Sequence, residues 1–287
     1  MDAFRIEGGA RLSGRIAVDG SKNACLPLMA AALLADEPVT LRNVPELSDI
    51  RNMIGLLDTL GCTAEGEHGT VTLTNTDLAK THAEYEIVRT MRASICVLGP
   101  MLARRGHAAV AMPGGCTFGP RPVDLHLRGL EALGARIDLR GGDIIAEADE
   151  LRGTTIFLGG PFGSTVLGTA NVMSAATLAK GTTIIESAAC EPEIVDIANL
   201  LNAMGARITG AGGPRITIEG VRELGGATHT VMPDRIVAGT WAMAAAMTNG
   251  QVILDDFPYD ALLALVDRLH EIGVNIRPLD PALGLER

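Results

Sequence analysis

Residues 113–124 read Pro-Gly-Gly-Cys-Thr-Phe-Gly-Pro-Arg-Pro-Val-Asp, which puts a lone thiol, Cys116, among three glycines and three prolines. Neither a helix nor a central strand tolerates that composition, so the span is a shaped loop. Five residues after the cysteine, Arg121 precedes Pro122. Proline favours the first helical position, so the spacing predicts a helix from Pro122 to Leu133, stopped at Gly134. Arg121 then stands at a helix N-terminus, where unpaired N–H groups and the helix dipole already favour anions. A thiol on a glycine-rich loop beside a cationic helix start is suited to chemistry on an acidic substrate. The plainer alternative is a buried, inert cysteine on a turn.

Other cations fall at equivalent places, and a repeat is what makes them equivalent. Breaks after Ala/Leu/Met-rich helices occur at Glu37, Gly106, Gly181 and Gly250. Second helices end at Leu60-Gly61, Leu133-Gly134, Met204-Gly205 and Ile272-Gly273. Both anchors recur about every 70 residues, so the sequence predicts four tandem units, each a βαβαββ module burying one sheet face against its sisters. Overlaid on this repeat, Lys22, Arg92 and Arg235 lie in the first turn of a first helix, and the third unit carries Ser164-Thr165 there. Cations are the wrong sign for a helix N-terminus. Three at matching positions point to an anion bound where these helix ends converge, with Arg121 completing a basic pocket.

Local patterns supply the elements. Residues 3–18 read as two short strands around Gly8-Gly9. Ser21 is placed to cap a helix from Lys22, which Pro27 should kink or delay. Val39–Leu41 and Thr182–Ile185 are β-branched strands. Glu191–Met204 carries a helical apolar stripe, read as core, and residues 210–214 form a turn.

Composition bounds the function. The 287 residues, 47% apolar and 20% charged, suit a globular protein of one large domain or two. A net charge of −10 and 3% aromatics argue against nucleic acid and anionic membranes as partners. The five cysteines, at 25, 62, 96, 116 and 190, form no CxxC pair, so neither a zinc site nor a disulfide framework is expected. The N-terminus shows no signal-peptide pattern, and the apolar run 24–35 is too short to span a bilayer; the expected compartment is the reducing cytoplasm.

Five stretches occur together in order: Gly20-Ser21-Lys22-Asn23, Arg89 to Ser94, Pro113 to His126, Glu191 to Asp196, and Pro233-Asp234-Arg235. Together they resemble the UDP-N-acetylglucosamine 1-carboxyvinyltransferase family, from residue 1 to about 277. The resemblance implies an inside-out α/β barrel of two domains with three βαβαββ units each. Four of those six units would be present, residues 22–229 forming a complete three-unit domain and residues 1–21 plus 230–287 an incomplete second one. It also implies transfer of the enolpyruvyl group of phosphoenolpyruvate to the 3-hydroxyl of UDP-N-acetylglucosamine, the first committed step of peptidoglycan synthesis. No metal, organic cofactor or protein partner is implied.

By the same resemblance, Lys22 and Asn23 would contact phosphoenolpyruvate, and Arg121 would hold its phosphate. Arg92 with Arg121, Pro122, Val123, Asp124 and Leu125 would line the nucleotide-sugar site. Cys116 would protonate the enolpyruvyl methylene, form a covalent adduct, and be the residue fosfomycin alkylates in sensitive members. Asp234 and Arg235 would lie where the second domain begins. Thr165-Val166-Leu167 matches a uridine-phosphate loop that is usually Ser-Val-Gly, and Leu167 could crowd a backbone approach there. The tail beyond Arg277 departs from the family, and the family's general-base aspartate has no counterpart in these residues. Weak nucleotide-sugar binding and little turnover are therefore expected of the chain alone. Two other readings stay open: a non-catalytic binding paralogue, and an enzyme like 3-phosphoshikimate 1-carboxyvinyltransferase.

Overall fold

The computed structural model describes residues 3–113 and 123–279. The chain forms two compact units, Gly20–Met232 and Met1–Asp19 with Pro233–Arg287, so it passes between them twice.

In chain order, the elements begin with β1 (Ser13–Ala17), α1 (Lys22–Ala31), β2 (Val39–Arg42), α2 (Ser48–Thr59), β3 (Cys62–Glu65) and β4 (Val71–Asn75). Next come β5 (His82–Ala83), α3 (Tyr85–Val88), a 3-10 segment Arg92–Val97, α4 (Leu98–Arg105), β6 (His107–Ala111), α5 (Asp124–Ala132), β7 (Arg136–Arg140) and β8 (Asp143–Glu147). A third run holds β9 (Thr155–Phe157), α6 (Val166–Ala176), β10 (Thr182–Glu186), α7 (Pro192–Ala203), β11 (Arg207–Thr209) and β12 (Arg215–Glu219). The last elements are β13 (Ala227–Thr230), α8 (Arg235–Met247), β14 (Gln251–Asp255) and α9 (Leu263–Glu271).

The larger unit holds three four-stranded sheets of one topology: β13-β2-β4-β3, β5-β6-β8-β7 and β9-β10-β12-β11. In each, an edge strand runs parallel to its neighbour, which pairs antiparallel with the return strand of a hairpin. The ~70-residue repeat is thus a structural repeat. Its second-helix anchors end in Gly61, Gly134, Gly205 and Gly273, all with positive φ, which lets the chain leave a helix and re-enter as strand.

Helices fill the inside. Every residue from Ala24 to Ala31 in α1, and from Gly168 to Ala176 in α6, is buried. A helix apolar on all sides belongs in a core, not against one sheet face. The sheets face outward, and β12 alternates exposed and buried residues along its length. This is the inside-out α/β arrangement.

In the smaller unit β1 lies parallel to β14, and Val18 N donates to Asp255 O at 3.1 Å. α8 buries only Ala238, Gly239, Ala242 and Ala245, leaving Ile236, Val237, Met243 and Met247 exposed. Among the described residues no helix is long and apolar enough to cross a membrane.

Three local expectations change. Residues 3–12 form no strand; β1 pairs with β14, far along the sequence, rather than within a hairpin. Pro27 does not delay α1, which starts at Lys22 with Ser21 Oγ accepting from Ala24 N at 3.3 Å. The carbonyl that Pro27 leaves without a helical donor belongs to Asn23 in the first turn, so the loss falls at the helix end rather than in its middle. The third helix expected from Pro122 begins at Asp124, with Val123 at the N-cap, and its acid in the first turn suits the dipole.

Gly20 shows how tightly the start of the larger unit is set. A Cβ there would lie 1.8 Å from the Asn43 carbonyl oxygen. Backbone cannot yield as a side-chain tip can, so Gly20→Ala is expected to destabilise the protein by about 3 kcal/mol, at the upper end of overpacking costs. A urea midpoint unchanged from wild type would contradict this.

Candidate functional site

Of the residues singled out by the sequence, Lys22, Asn23, Arg92, Val123 to Leu125, Thr165 and Val166 sit at or beside the starts of helices in the larger unit. Lys22 is the first residue of α1, and Asn23 beside it is exposed. Lys22 Nζ lies 3.0 Å from Asp49 Oδ2, in the first turn of α2. The cation thus has a protein carboxylate beside it, a partner the sequence reading missed. Both side chains are part-exposed, and such pairs contribute about 0–1 kcal/mol, so a better anion can take its place.

Arg92 opens the 3-10 segment that packs against α1 and α6. At the start of α5, Val123 is buried, Asp124 exposed and Leu125 half-buried. Leu125 reaches the next loop: a Cβ on Gly160 would meet its Cδ1 at 3.2 Å. That loop is a closed turn, in which Gly160 and Gly163 exchange backbone hydrogen bonds of 2.9 and 3.1 Å. Arg128 of α5 steadies it, donating from Nη2 to Phe157 O at 2.6 Å and Gly159 O at 3.0 Å. The loop leads into Thr165, whose Oγ1 caps α6 by accepting from Gly168 N at 3.2 Å. Val166 and Leu167 follow and pack against the core. The bulk that leucine adds at position 167 therefore has a place in the interior.

His126 is buried one residue further along α5, and its pKa is pushed down from 6.5 to about 4. Burial is the main cause; the Arg92 charge lowers it further, while Asp124 opposes both. The same influences put Arg92, Asp124 and His126 in one neighbourhood. His126 Nδ1 lies 3.1 Å from Nδ2 of the buried Asn171 in α6. Neither residue was assigned a role from sequence, though Asn171 carried a signal: it interrupts a run of small and apolar residues, and a polar group in an all-buried helix needs partners.

The other sequence-predicted residues divide in two. Arg235 opens α8 in the smaller unit, behind Asp234, whose Oδ1 caps the helix by accepting from Ile236 N at 2.8 Å and Val237 N at 3.1 Å. Cys116, Arg121 and Pro122 lie outside the described residues.

Known proteins resemble the whole of this arrangement. The EPSP synthase (3-phosphoshikimate 1-carboxyvinyltransferase) family profile matches residues 6–283. A UDP-N-acetylglucosamine 1-carboxyvinyltransferase from Yersinia pestis is 49% identical over all 287 residues, which cover 68% of that relative. The chain belongs to the UDP-N-acetylglucosamine 1-carboxyvinyltransferase family of enolpyruvyl transferases. Relatives in this family from Methylacidiphilum infernorum and Serratia proteamaculans are 50% and 52% identical over 96% of the chain. The chain spans 65% of the length of each. Among solved structures, the enolpyruvyl transferase NikO from Streptomyces tendae superposes with a TM-score of 0.83 at 23% identity, over 96% of this chain and 65% of that one. EPSP synthase from Acinetobacter baumannii gives a TM-score of 0.65 at 18% identity, over 83% and 53%. At these identities the two structures bear on the fold of this family member.

Two outcomes follow from the site's electrostatics. Burial pushes the Cys25 and Cys96 thiols up to about 12 and Cys62 to about 11, and all three are buried, whereas Cys190 is exposed. Brief substoichiometric iodoacetamide should therefore spare Cys25, Cys62 and Cys96, with Cys116 labelled first. Mass-spectrometric mapping that finds Cys96 labelled as fast as Cys116 would remove the functional reading of the loop. His126 gives a pH effect. Its folded pKa lies below the unfolded value, so the unfolded chain binds the proton first as pH falls. Stability is then fully present above about pH 6.5 and lost as pH drops through about 4. His126→Gln should flatten the pH dependence of the urea midpoint between pH 7 and 5; an unchanged slope would contradict the assignment.

Proposed function

We propose that the protein transfers the enolpyruvyl group of phosphoenolpyruvate to the 3-hydroxyl of UDP-N-acetylglucosamine, releasing phosphate. Identity near 50% across 96% of the chain, to relatives named for this reaction, carries the reading. The substrate-binding and proton-donating residues that the resemblance assigns are present, namely Lys22, Asn23, Arg92, Cys116, Arg121 to Leu125, Thr165, Val166 and Arg235, while the family's general-base aspartate has no counterpart among them.

The chemistry suits those residue types. A proton delivered to the phosphoenolpyruvate methylene by the Cys116 thiol turns C2 into an oxocarbenium-like centre. The sugar hydroxyl adds to C2 as its proton passes to a carboxylate base, for which the family uses an aspartate without a counterpart in these residues. The new methyl group then returns a proton as the C–O bond to phosphate breaks, restoring the double bond in the product. No carbon changes oxidation state overall, so no redox cofactor is called for. Lys22 and Arg121 offset the phosphate charge as it develops, and Lys22 can exchange its part-exposed Asp49 pair for the substrate. Arg92, with Pro122, Val123, Asp124 and Leu125, lines the nucleotide sugar, and Thr165 and Val166 flank its phosphates. The product would enter peptidoglycan synthesis, in the cytoplasm.

A second acceptor is favoured by one observation, the description of the matching family as 3-phosphoshikimate 1-carboxyvinyltransferase. Phosphate release from phosphoenolpyruvate, measured with each acceptor in single- and multiple-turnover regimes, separates the readings. Little release is expected of the chain alone, and what there is should require UDP-N-acetylglucosamine and fall at least ~10²-fold in Cys116→Ala. Release driven by 3-phosphoshikimate instead would overturn the proposal. Saturable nucleotide-sugar binding with no chemistry in either regime would favour a binding paralogue.

A further inference from the structure

Residues Arg92–Val97 run as one 3-10 segment of six residues, and α4 begins directly after it at Leu98. Runs longer than three or four residues are uncommon, because i→i+3 hydrogen bonds are poorer than those of an α-helix. A long 3-10 segment leading straight into an α-helix therefore needs something outside itself to keep it from joining that helix.

The junction shows what does so. Leu98 N donates back to Ile95 O, in the 3-10 manner. An α-helix would instead join Ile95 O to Gly99 N, its i and i+4 groups. Here both turn to Asn171, which is 1% exposed in the middle of α6. Gly99 N donates to Asn171 Oδ1 at 2.6 Å, and Asn171 Nδ2 donates to Ile95 O at 2.9 Å. One carboxamide thus supplies the acceptor and the donor that the two backbone groups would otherwise find in each other. A backbone N–H only donates and a backbone carbonyl only accepts, so the amide has one orientation. The fit is close: a Cβ on Gly99 would lie 2.4 Å from Asn171 Oδ1 and 2.3 Å from its backbone oxygen.

Arg92 is the residue that the junction moves most, since it stands at the far end of the segment. Rewinding six residues from about 3.0 to about 3.6 per turn would rotate the first of them by roughly 120° and shift it by about 3 Å along the axis. A charged hydrogen bond to a fixed ligand does not survive a displacement of that size.

We infer that Asn171 is a positioning residue: by holding apart the backbone pair that would extend α4 backwards, it keeps residues 92–97 in the 3-10 form and so sets where Arg92 stands against a bound UDP-sugar. The ligand rests on the function proposed above; the splice between the two helical forms does not. α6 is placed for this role, because it packs against both the 3-10 segment and α4 and is itself capped by Thr165.

The test uses the full chain. In wild type labelled with 13C and 15N, the Gly99 amide should show a coupling across its hydrogen bond to the Asn171 side-chain carboxamide carbon, and none to the Ile95 carbonyl carbon. Asn171→Leu, similar in size, removes both bonds, so a crystal structure should show Gly99 N on Ile95 O and residues 92–97 as α-helix. Calorimetry with UDP-N-acetylglucosamine separates positioning from a purely structural role. Arg92→Ala and Asn171→Leu should each weaken binding about 10-fold, the usual loss for a hydrogen bond to a charged group. The double variant should also lose about 10-fold rather than about 100-fold, because an arginine already out of place has nothing further to lose. Should Asn171→Leu fail to fold, Asn171→Ser, whose hydroxyl is too short to span both partners, should give the same pattern, and the wild-type coupling decides the splice whatever the variants do. A wild-type coupling from Gly99 to Ile95, a 3-10 segment retained in Asn171→Leu, or losses that multiply in the double variant would overturn the inference and leave the proposed function standing. Multiplied losses would place the effect of Asn171 in another contact, such as His126 Nδ1 at 3.1 Å from its Nδ2. Wild type that does not bind UDP-N-acetylglucosamine would overturn both.

Discussion

The parallel pairing of β13 with β2 is the constraint on which the larger unit depends. It joins residues 227–230 to residues 39–42 and supplies the first sheet with its edge strand. Without it, that sheet would lack the parallel strand that β5 and β9 provide in the other two. The closure is secured at one corner by polar groups. Asp196 of α7 accepts from Met232 N at 3.2 Å and meets His229 Nε2 at 2.9 Å, while Asn43 Nδ2 donates to Val231 O at 3.1 Å. Ser21 N then donates to Met232 O at 2.7 Å, so the segment that closes the sheet also anchors the start of α1. Sheet pairing and the placement of Lys22 and Asn23 are therefore linked: the segment that completes the first sheet also holds the helix end that carries them.

With helices inside, the unit has little room for polar groups, and those that enter are engaged. Thr169 Oγ1 accepts from Ala189 N at 3.1 Å, Thr177 Oγ1 donates to Ser174 O at 2.7 Å, and Ser94 Oγ donates to Met91 O. Asn171 goes further, since its one amide mends a helix discontinuity and contacts a histidine. A buried polar group without partners costs about 1–3 kcal/mol, so such an asparagine in an apolar helix is tolerated only where every hydrogen bond is met. The discontinuity it mends lies between Arg92 and α4, which couples the placement of Arg92 to a side chain in the core.

Helix starts gather cationic and hydroxyl side chains in this net-acidic protein. α1, the 3-10 segment and α6 pack against one another, and each begins with a residue the sequence marked: Lys22, Arg92, and Val166 behind the Thr165 cap. Backbone N–H groups at such ends favour negative charge, and lysine or arginine placed there raises the electrostatic cost of the empty site, which an anion relieves. Asp49 beside Lys22 is a modest internal substitute for that anion.

Much was legible in the chain itself. The ~70-residue period, the helix ends at Gly61, Gly134, Gly205 and Gly273 and the Ser21 cap all follow from local rules of periodicity and capping that need no distant partner, whereas the inward placement of the helices came only from the family resemblance. The positions of Lys22, Arg92 and the 113–126 stretch were legible for the same reason, because repeats and motifs are linear. Only the tertiary structure decided what lies across from them. Strand β1 was expected to have a local partner and pairs instead with β14, more than two hundred residues away, since edge pairing depends on which strand the fold brings alongside. Lys22 meets Asp49, and Asn171 meets Ile95, Gly99 and His126, through contacts between separate modules that no spacing rule encodes. The sequence alone determined which residues carry charge and where helices begin; folding determined which of those charges are neighbours, because contacts between modules depend on how the chain brings them together.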